Sequence, residues 1–243
     1  MSSPFLTAEW RSLALLNYEI DPAVLRPFVP AGTELDRWEG KTFVSLVGFL
    51  FLNTRLRGVA VPFHSNFEEV NLRFYVRRLT IEGWRRGVVF IKELVPRRAI
   101  AWTARVFYNE NYSAVPMGHD LKINDAGTVR EASYYWSFGG KKCRLEVRTK
   151  GEDAAVLPGT CEEFITEHYW GYVRQRDGGT VEYQVEHPPW RVWPAHDATL
   201  DCPVESLYGK TFTAFLKQPA SAFLADGSPV TVFKGTRLAL NPR

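Results

Sequence analysis

The chain has 243 residues, of which 45% are hydrophobic, and its formal net charge is only +3. That charge is too small to indicate a nucleic-acid-binding protein, because the basic doublets between Arg77 and Lys142 are scattered and form no continuous stripe. The most apolar run, residues 43–52, is about half of the ~20 residues that span a bilayer, so no membrane anchor is predicted. The length suits one sizeable core, and we predict a single domain over residues 1–243.

The N-terminal segment and the cysteines favour a cytoplasmic protein. The first residues lack the charged leader and apolar run that a signal peptide needs. Cys143, Cys161 and Cys202 are too few and too widely spaced for a disulfide framework or a CxxC site. They are therefore predicted to be reduced thiols.

In chain order, the first element predicted is a short helix over residues 23–28, because Asp21-Pro22 supplies an N-cap followed by proline at the first helical position. From residue 42 to residue 150, alternating apolar runs separated by glycine turns predict a meander of six or seven strands. The clearest of these strands are predicted at 42–52, 67–79, 87–95 and 99–109. Thr160 and Glu163 have capping-box spacing and predict a helix over about 161–173.

The strand FEEVNLRFYVRR, residues 67–78, has one apolar face and one polar face. Its polar side chains include Glu69, Asn71 and Arg73, spaced about 7 Å apart along one face. Arg73 could bind a carboxylate through two hydrogen bonds, and Glu69 could serve as an acid or a base. An alternative stays open, in which Arg73 pairs with Glu69 in a buried network that only stabilises the fold.

Lys92 is a candidate nucleophile, because it follows the apolar residues 88–91 and a buried lysine can lose its charge. By alternation, Lys92 shares a face with Val88 and Phe90, whereas Glu93 lies on the other face. One of these two charges is thus expected to face inward. The alternative is that Lys92 pairs with Glu93 or Glu69, or points to solvent.

Nothing in the sequence indicates a metal or a cofactor. The five histidines show no HExxH motif and no close spacing with cysteine or aspartate, so we predict no metal site. His187, which precedes two prolines, is predicted to sit in a rigid turn with a hydrogen-bonded imidazole. No glycine-rich phosphate loop precedes a helix, which argues against a nucleotide cofactor.

Several segments together resemble an uncharacterised bacterial family, the YqjF-like proteins, over about residues 8–200. In chain order these segments are EEVNLRFYV (68–76), GVVFIKEL (87–94), ARVFYNENY (104–112), EEFITEHYWGYV (162–173) and VEHPPW (185–190). That family is grouped with the acetoacetate decarboxylases, whose opening phrase resembles YEIDPAVLRPFVPAG (18–32). The resemblance implies a β-rich α+β fold: an acetoacetate decarboxylase-like curled sheet or β-barrel with a central pocket and a few peripheral helices. It also implies that the polar face of residues 69–77 points partly into that pocket.

The acetoacetate decarboxylases use a lysine that forms a Schiff base, with a second lysine beside it that lowers the pKa of the first. In that family the two lysines follow a proline; Asn111 falls at the proline and Tyr112 and Ser113 fall at the lysines, so both lysines are absent. The pocket arginine of that family falls at Glu19, and its pocket glutamate is kept as Glu69. The resemblance therefore implies the fold without the Schiff-base reaction.

Three further candidates come from the segment ARVFYNENY. Arg105 matches an arginine of the decarboxylase phrase, and it could bind an anion. Tyr108 and Tyr112 could donate hydrogen bonds to a bound oxyanion, or they could simply pack through their large apolar rings.

Three functions remain open from the sequence. The first is an enzyme without Schiff-base chemistry, in which Glu69 moves a proton and Arg73 or Arg105 holds an anion. The second is a module that binds a metabolite without reacting with it. The third is a scaffold with a filled core. The expected partner is a small carboxylic or oxo acid, and the sequence leaves a homo-oligomer open.

Overall fold

The computed structural model describes residues 4–60, 64–96 and 111–239, which are mostly β-strand. Its strands are β1 Pro4–Ile20, β2 Glu34–Leu35, β3 Thr42–Leu56, β4 Val59–Ala60, β5 Phe67–Thr80, β6 Gly83–Val95, β7 Tyr112–Ala114, β8 Met117–Ile123, β9 Val129–Phe138, β10 Lys141–Thr149, β11 Ala154–Ala155, β12 Trp170–Arg174, β13 Thr180–Glu186, β14 Arg191–Asp201, β15 Ser221–Phe233 and β16 Thr236–Arg237. Its helices are α1 Pro22–Leu25, α2 Cys161–Thr166 and α3 Val204–Tyr208, with 3-10 turns at Arg26–Phe28 and Lys210–Phe212. Within these ranges, no helix has the length and apolarity needed to cross a membrane.

The strands form one sheet in the order β16-β13-β12-β6-β5-β3-β1-β15-β14-β10-β9-β8. The sheet curls until β13 also meets β15, through the pairs Val185↔Val232 and Glu186↔Thr231. The parallel pairing of β6 with β12 is equally short, with Trp170↔Gly87 and Gly171↔Val88. Because these two contacts are so brief, a curled sheet describes the architecture better than a closed barrel. The predicted β-rich curled fold is confirmed.

The long strands follow from the alternation in the sequence. The strands predicted at 42–52, 67–79 and 87–95 are present as β3, β5 and β6; β3 and β6 are each four residues longer than predicted, and β5 is one residue longer. Asp21 caps α1 as expected, since its carboxylate accepts a hydrogen bond from the amide of Ala23 at 2.7 Å. The strand predicted at 99–109 lies outside the described residues.

The helix predicted over 161–173 is wrong beyond its first turns. Thr160 caps α2, because its hydroxyl accepts from the amide of Glu163, but the helix ends at Thr166. The sequence then becomes rich in aromatic and β-branched residues, which favour a strand, and Trp170–Arg174 forms β12. Gly87 lets β12 approach β6 closely, since a Cβ at that position would lie 2.5 Å from the carbonyl oxygen of Trp170.

The two faces of β5 serve different layers. Val70, Leu72, Phe74 and Val76 are fully buried in a hydrophobic cluster that includes side chains of β9 and β10. The polar residues between them face the concave side of the curled sheet, where a second cluster of large aromatic residues lies. Strand β5 is therefore buried on both faces, and its polar face looks into the interior of the curl.

Register shifts between paired strands change which residues face this interior. In β6, Leu72 pairs with Lys92 and Arg73 pairs with Phe90, so Ile91 is an extra residue that bulges the strand. In β1, a shift between Arg11 and Ala14 has the same effect. A bulge reverses the alternation beyond it, and simple period-two reading fails there.

Candidate functional site

A cavity of about 350 Å³ lies on the concave side of the curled sheet. This volume falls within the range of about 300–1,000 Å³ that is usual for small-molecule sites. Polar side chains of β5, β6 and β7 line one part of the wall, and aromatic side chains of β1, β3 and β5 line another. The cavity is thus apolar over most of its surface, with a few polar groups that converge in one region.

Three consecutive inward-facing residues of β5, Glu69, Asn71 and Arg73, all lie on the cavity wall. They are 3%, 2% and 8% exposed. The Asn71 side-chain amide donates to Glu69 Oε1 at 2.9 Å, and the Tyr112 hydroxyl donates to Glu69 Oε2 at 3.3 Å. These two donors fix the orientation of the Glu69 carboxylate in the wall.

Arg73 makes few polar contacts for a buried cation. One Nη2 atom donates to the backbone carbonyl of Ile165 at a long 3.4 Å, and the Nε atom has no partner among the described residues. Within the described ranges, Arg73 forms no ion pair, so the alternative in which it pairs with Glu69 is not seen. The guanidinium, which has five donors, therefore reaches the cavity wall with most of them uncommitted.

The structure places Glu93, and not Lys92, on the cavity wall. Glu93 is 1% exposed and lines the cavity on the same side as Val88 and Phe90. Lys92 lies on the opposite face, where its Nζ is 5.7 Å from the ring centre of Phe138. The prediction that Lys92 shares a face with Val88 and Phe90 is wrong, because the bulge at Ile91 reverses the alternation.

Asp36, Arg86 and His168 form an acid–base cluster beside the cavity. Asp36 Oδ2 lies 2.8 Å from Arg86 Nε and 3.4 Å from His168 Nε2, and His168 lines the cavity. Burial would raise the pKa of Asp36, but the close approach of His168 and the hydrogen bond from Arg86 outweigh it and hold that pKa at about 2. Burial lowers the pKa of His168 to about 4, with the positive charge of Arg86 assisting and Asp36 opposing. At neutral pH the cluster therefore holds a neutral imidazole beside a carboxylate–guanidinium pair.

The loop between β13 and β14 closes the aromatic part of the cavity. His187 stacks on Trp190, with ring centres 4.5 Å apart, and its Nδ1 lies 3.0 Å from the Pro188 carbonyl oxygen. The rigid turn with a hydrogen-bonded imidazole that the sequence predicted is present. Burial lowers the pKa of His187, which favours its neutral form. Trp10 contacts Trp190 at 6.3 Å between ring centres and completes this part of the wall.

The structure thus brings together four of the seven predicted site residues: Glu69, Asn71, Arg73 and Tyr112. Lys92 lies away from them, and Arg105 and Tyr108 fall outside the described residues. Asn111, which precedes the two positions matched to the decarboxylase lysines, donates its side-chain amide to the Ile91 carbonyl at 2.9 Å. Across the described ranges, no group of three or more histidine, cysteine, aspartate and glutamate side chains could hold a metal ion.

Sequence reasoning missed Glu93, Asp36 and His168 as cavity residues or their direct supports. Glu93 was hidden by the bulge. His168 was predicted to lie in the helix, and only the early end of α2 turns its side chain against Asp36 and Tyr75. No local signal in the sequence pairs Asp36 with His168, since more than a hundred residues separate them.

The fold is similar to that of two solved enzymes. The enduracididine biosynthesis enzyme MppR complexed with pyruvate superposes with a TM-score of 0.71 at 14% identity, covering 98% of this chain and 92% of that one. Acetoacetate decarboxylase from Legionella pneumophila superposes with a TM-score of 0.66 at 14% identity, covering 98% of this chain and 88% of the other. At such low identity, these likenesses show a common fold and no shared activity.

Sequence comparison identifies a relative with higher sequence identity than these two structures. The uncharacterized protein YqjF of Bacillus subtilis is 24% identical over 188 residues, which are 74% of this chain and 72% of YqjF. The family model for DUF2071, described as an uncharacterized conserved protein, matches residues 7–229. That match spans nearly the whole chain and both walls of the cavity, and the protein therefore belongs to the DUF2071 family.

Proposed function

We propose that the cavity binds a small organic acid, with the carboxylate at Arg73 and with Glu69 placed to give or take a proton. The observation that carries this proposal is the Arg73 guanidinium. It is 8% exposed, lines an apolar cavity and forms no ion pair with a described carboxylate. Burying a charge without a close counter-ion is unfavourable, and a bound carboxylate would supply that counter-ion through two parallel hydrogen bonds.

The neighbouring carboxylates provide an alternative explanation for the buried charge of Arg73. Glu69 and Glu93 both line the cavity, and Arg73 could simply offset their negative charge at longer range. Against this, Asn71 and Tyr112 already donate to Glu69, and no ion pair joins Glu69 to Arg73. The two explanations differ in whether removing Arg73 abolishes the response to an added acid.

Fold-level analogy supports the ligand class without establishing it. The structurally similar MppR was solved in complex with pyruvate, which is a 2-oxo acid. The chemistry of the decarboxylases does not transfer, because the positions that match their two lysines hold Tyr112 and Ser113. No lysine occurs among the described residues that line the cavity. An enzyme built on this site would therefore rely on proton transfer and charge stabilisation.

A binding module is the second candidate, and one observation favours it. Glu69 is held by donors on Asn71 and Tyr112, as a residue fixed for recognition would be. Glu69→Gln separates the two candidates because it removes the proton-transfer group while keeping the shape of the side chain. Lost turnover with retained acid binding would indicate an enzyme. Binding by a wild-type protein that turns over none of the acids it binds would indicate a module.

Arg73→Met is expected to weaken acid binding by at least about 30-fold, or about 2 kcal/mol, because it removes the charge-assisted hydrogen bonds. The measurement is a thermal-melt screen of the wild type and the variant against 2-oxo, 3-oxo and hydroxy acids and their neutral analogues. At 100 times its dissociation constant, a ligand stabilises the folded protein by about 2.7 kcal/mol, which shifts the melting temperature visibly.

The matched control is Arg77→Met, on the same strand but outside the cavity. Arg77 pairs with Glu34 at the surface, so its removal should leave acid binding unchanged. Arg73→Lys, which keeps the charge, guards against a variant that fails to fold, and it should retain part of the response. An acid response that survives in a folded Arg73→Met protein would contradict the proposal and make Arg73 a structural counter-charge.

A further inference from the structure

We infer that the acid carries a ring-bearing apolar body and is not a short acid of pyruvate size. This inference rests on the proposed function, since it takes the carboxylate to be bound at Arg73. The aromatic part of the wall indicates which kind of group occupies the rest of the cavity.

Aromatic side chains form a continuous row across three neighbouring strands. Trp10 of β1 pairs with Phe51 of β3, and Phe51 pairs with Phe67 of β5. The rings of Phe51 and Phe67 stack with centres 4.8 Å apart, and the Trp10 ring meets Phe51 edge-on at 5.9 Å. All three residues line the cavity.

This row lies at a distance from the anion site. Phe67 and Arg73 are six residues apart on one extended strand, which places their Cα atoms about 20 Å apart. Both side chains line the same cavity, with Glu69 and Asn71 between them. A ligand of pyruvate size that is held at Arg73 would leave the aromatic row unfilled, whereas an elongated acid would cover it.

The loop after β13 packs against the Trp10 end of this row, and the part of the cavity that the row and this loop line is called the slot. Trp190 meets Trp10 at an interplanar angle of 69°, and His187 stacks on Trp190. The Trp190 indole donates to the Ser228 hydroxyl at 2.9 Å, which fixes the ring in place. The two prolines before Trp190 also restrict the backbone, so the slot is formed before any ligand enters.

The chemistry of the slot selects a ring. Aromatic walls with edge-on and stacked neighbours favour an aromatic guest over an aliphatic one of equal size. Each methylene-sized group buried should tighten binding about fourfold. An acid with a phenyl group is therefore expected to bind at least about 30-fold more tightly than the same acid without it.

The test is titration calorimetry of the full chain with four compounds. Pyruvate is the short acid, and 2-oxo-8-phenyloctanoate carries the ring on a chain that extends from Arg73 toward the row. 2-Oxotetradecanoate replaces the ring with an alkyl chain of the same number of carbons, and 8-phenyloctan-2-one keeps the ring and ketone with a methyl group in place of the carboxylate. We expect 2-oxo-8-phenyloctanoate to bind most tightly, at least about 30-fold tighter than pyruvate. Phe67→Leu should erase much of this preference and leave pyruvate binding unchanged. Trp10→Leu is a second slot variant in case the first does not fold, and Trp84→Leu, at an exposed tryptophan, is the control.

The outcomes separate this inference from the proposed function. Equal binding of pyruvate and 2-oxo-8-phenyloctanoate would overturn the ring-bearing body and leave the acid site intact. Equal binding of 2-oxotetradecanoate and 2-oxo-8-phenyloctanoate would overturn the preference for a ring. Binding of the neutral ketone as tightly as 2-oxo-8-phenyloctanoate would overturn the role of Arg73, and binding of none of the acids would overturn both proposals.

Discussion

Asp36→Asn is expected to lower the free energy of unfolding at neutral pH by about 3 kcal/mol, the lower end of what breaking a buried ion pair removes. Asp36 is 4% exposed, and its carboxylate accepts from Arg86 Nε at 2.8 Å and from the Arg37 amide at 2.9 Å. Asparagine keeps the size and the backbone hydrogen bond but removes the charge that faces Arg86 and His168. The lower end applies because Arg86 is 31% exposed in its side chain and can recover some hydration.

Urea unfolding of both proteins at pH 7 measures this change. Glu34→Gln is the control, because Glu34 lies two residues away and forms an exposed pair with Arg77 that should contribute less than about 1 kcal/mol. A loss below about 1 kcal/mol for Asp36→Asn would mean that water screens the pair. Asp36 would then no longer count as a support of the cavity.

The cluster around Asp36 also connects the fold to the site. Arg86 Nη2 donates to the Phe164 carbonyl, and Arg73 Nη2 donates to the carbonyl of the next residue, Ile165. Both arginines thus contact the last turn of α2, one from the supporting cluster and one from the cavity wall. A shift of α2 in Asp36→Asn would move a partner of Arg73, so we expect this variant to weaken acid binding as well as stability.

How far the sequence predicts this site depends on whether a strand keeps its alternation. Strand β5 does keep it, and period two alone separates Val70 and Leu72 from Glu69, Asn71 and Arg73. The same rule fails in β6, because a bulge is decided by the fit of β6 against its neighbour and leaves no mark in local composition. Lys92 and Glu93 were therefore assigned to the wrong faces.

Longer-range features were beyond pattern reading for a different reason. Capping residues predicted where α2 begins, but its end depends on β12 finding a partner in β6, which is a tertiary contact. The first strand, Pro4–Ile20, was not predicted, and its neighbours are β3 and the distant β15. The overall fold could be predicted without these details, because the resemblance of several ordered segments to the YqjF-like proteins implies the fold as a whole.

Protonation of His168 is expected to lower the free energy of unfolding by about 3 kcal/mol between pH 7 and pH 4. In the unfolded chain the imidazole has its ordinary pKa of 6.5, whereas burial lowers it to about 4 in the folded protein. Between these values the unfolded state binds a proton that the folded state does not, so stability falls as the pH falls through this window. At the lower end of this pH window, the difference in pKa corresponds to a loss of about 3 kcal/mol in the free energy of unfolding. The lowered pKa of Asp36 adds its own loss mainly as the pH falls below the ordinary pKa of 3.8 toward the folded value of about 2.

His168→Gln should remove this component, so that the unfolding free energy of the variant changes less between pH 7 and pH 4.5 than that of the wild type. Urea unfolding at a series of pH values measures how steeply the unfolding free energy of each protein changes with pH. His196→Gln, at an exposed histidine of β14, is the control for losing a histidine.

The comparison also bears on function, because His168 lines the cavity and contacts Asp36. A neutral imidazole can accept or donate a hydrogen bond to a bound acid without competing with Arg73 for its charge. Identical slopes in the wild type and His168→Gln would show that His168 keeps its ordinary pKa in the fold, and below pH 6.5 a cationic His168 would then be a second anion-binding group beside Arg73.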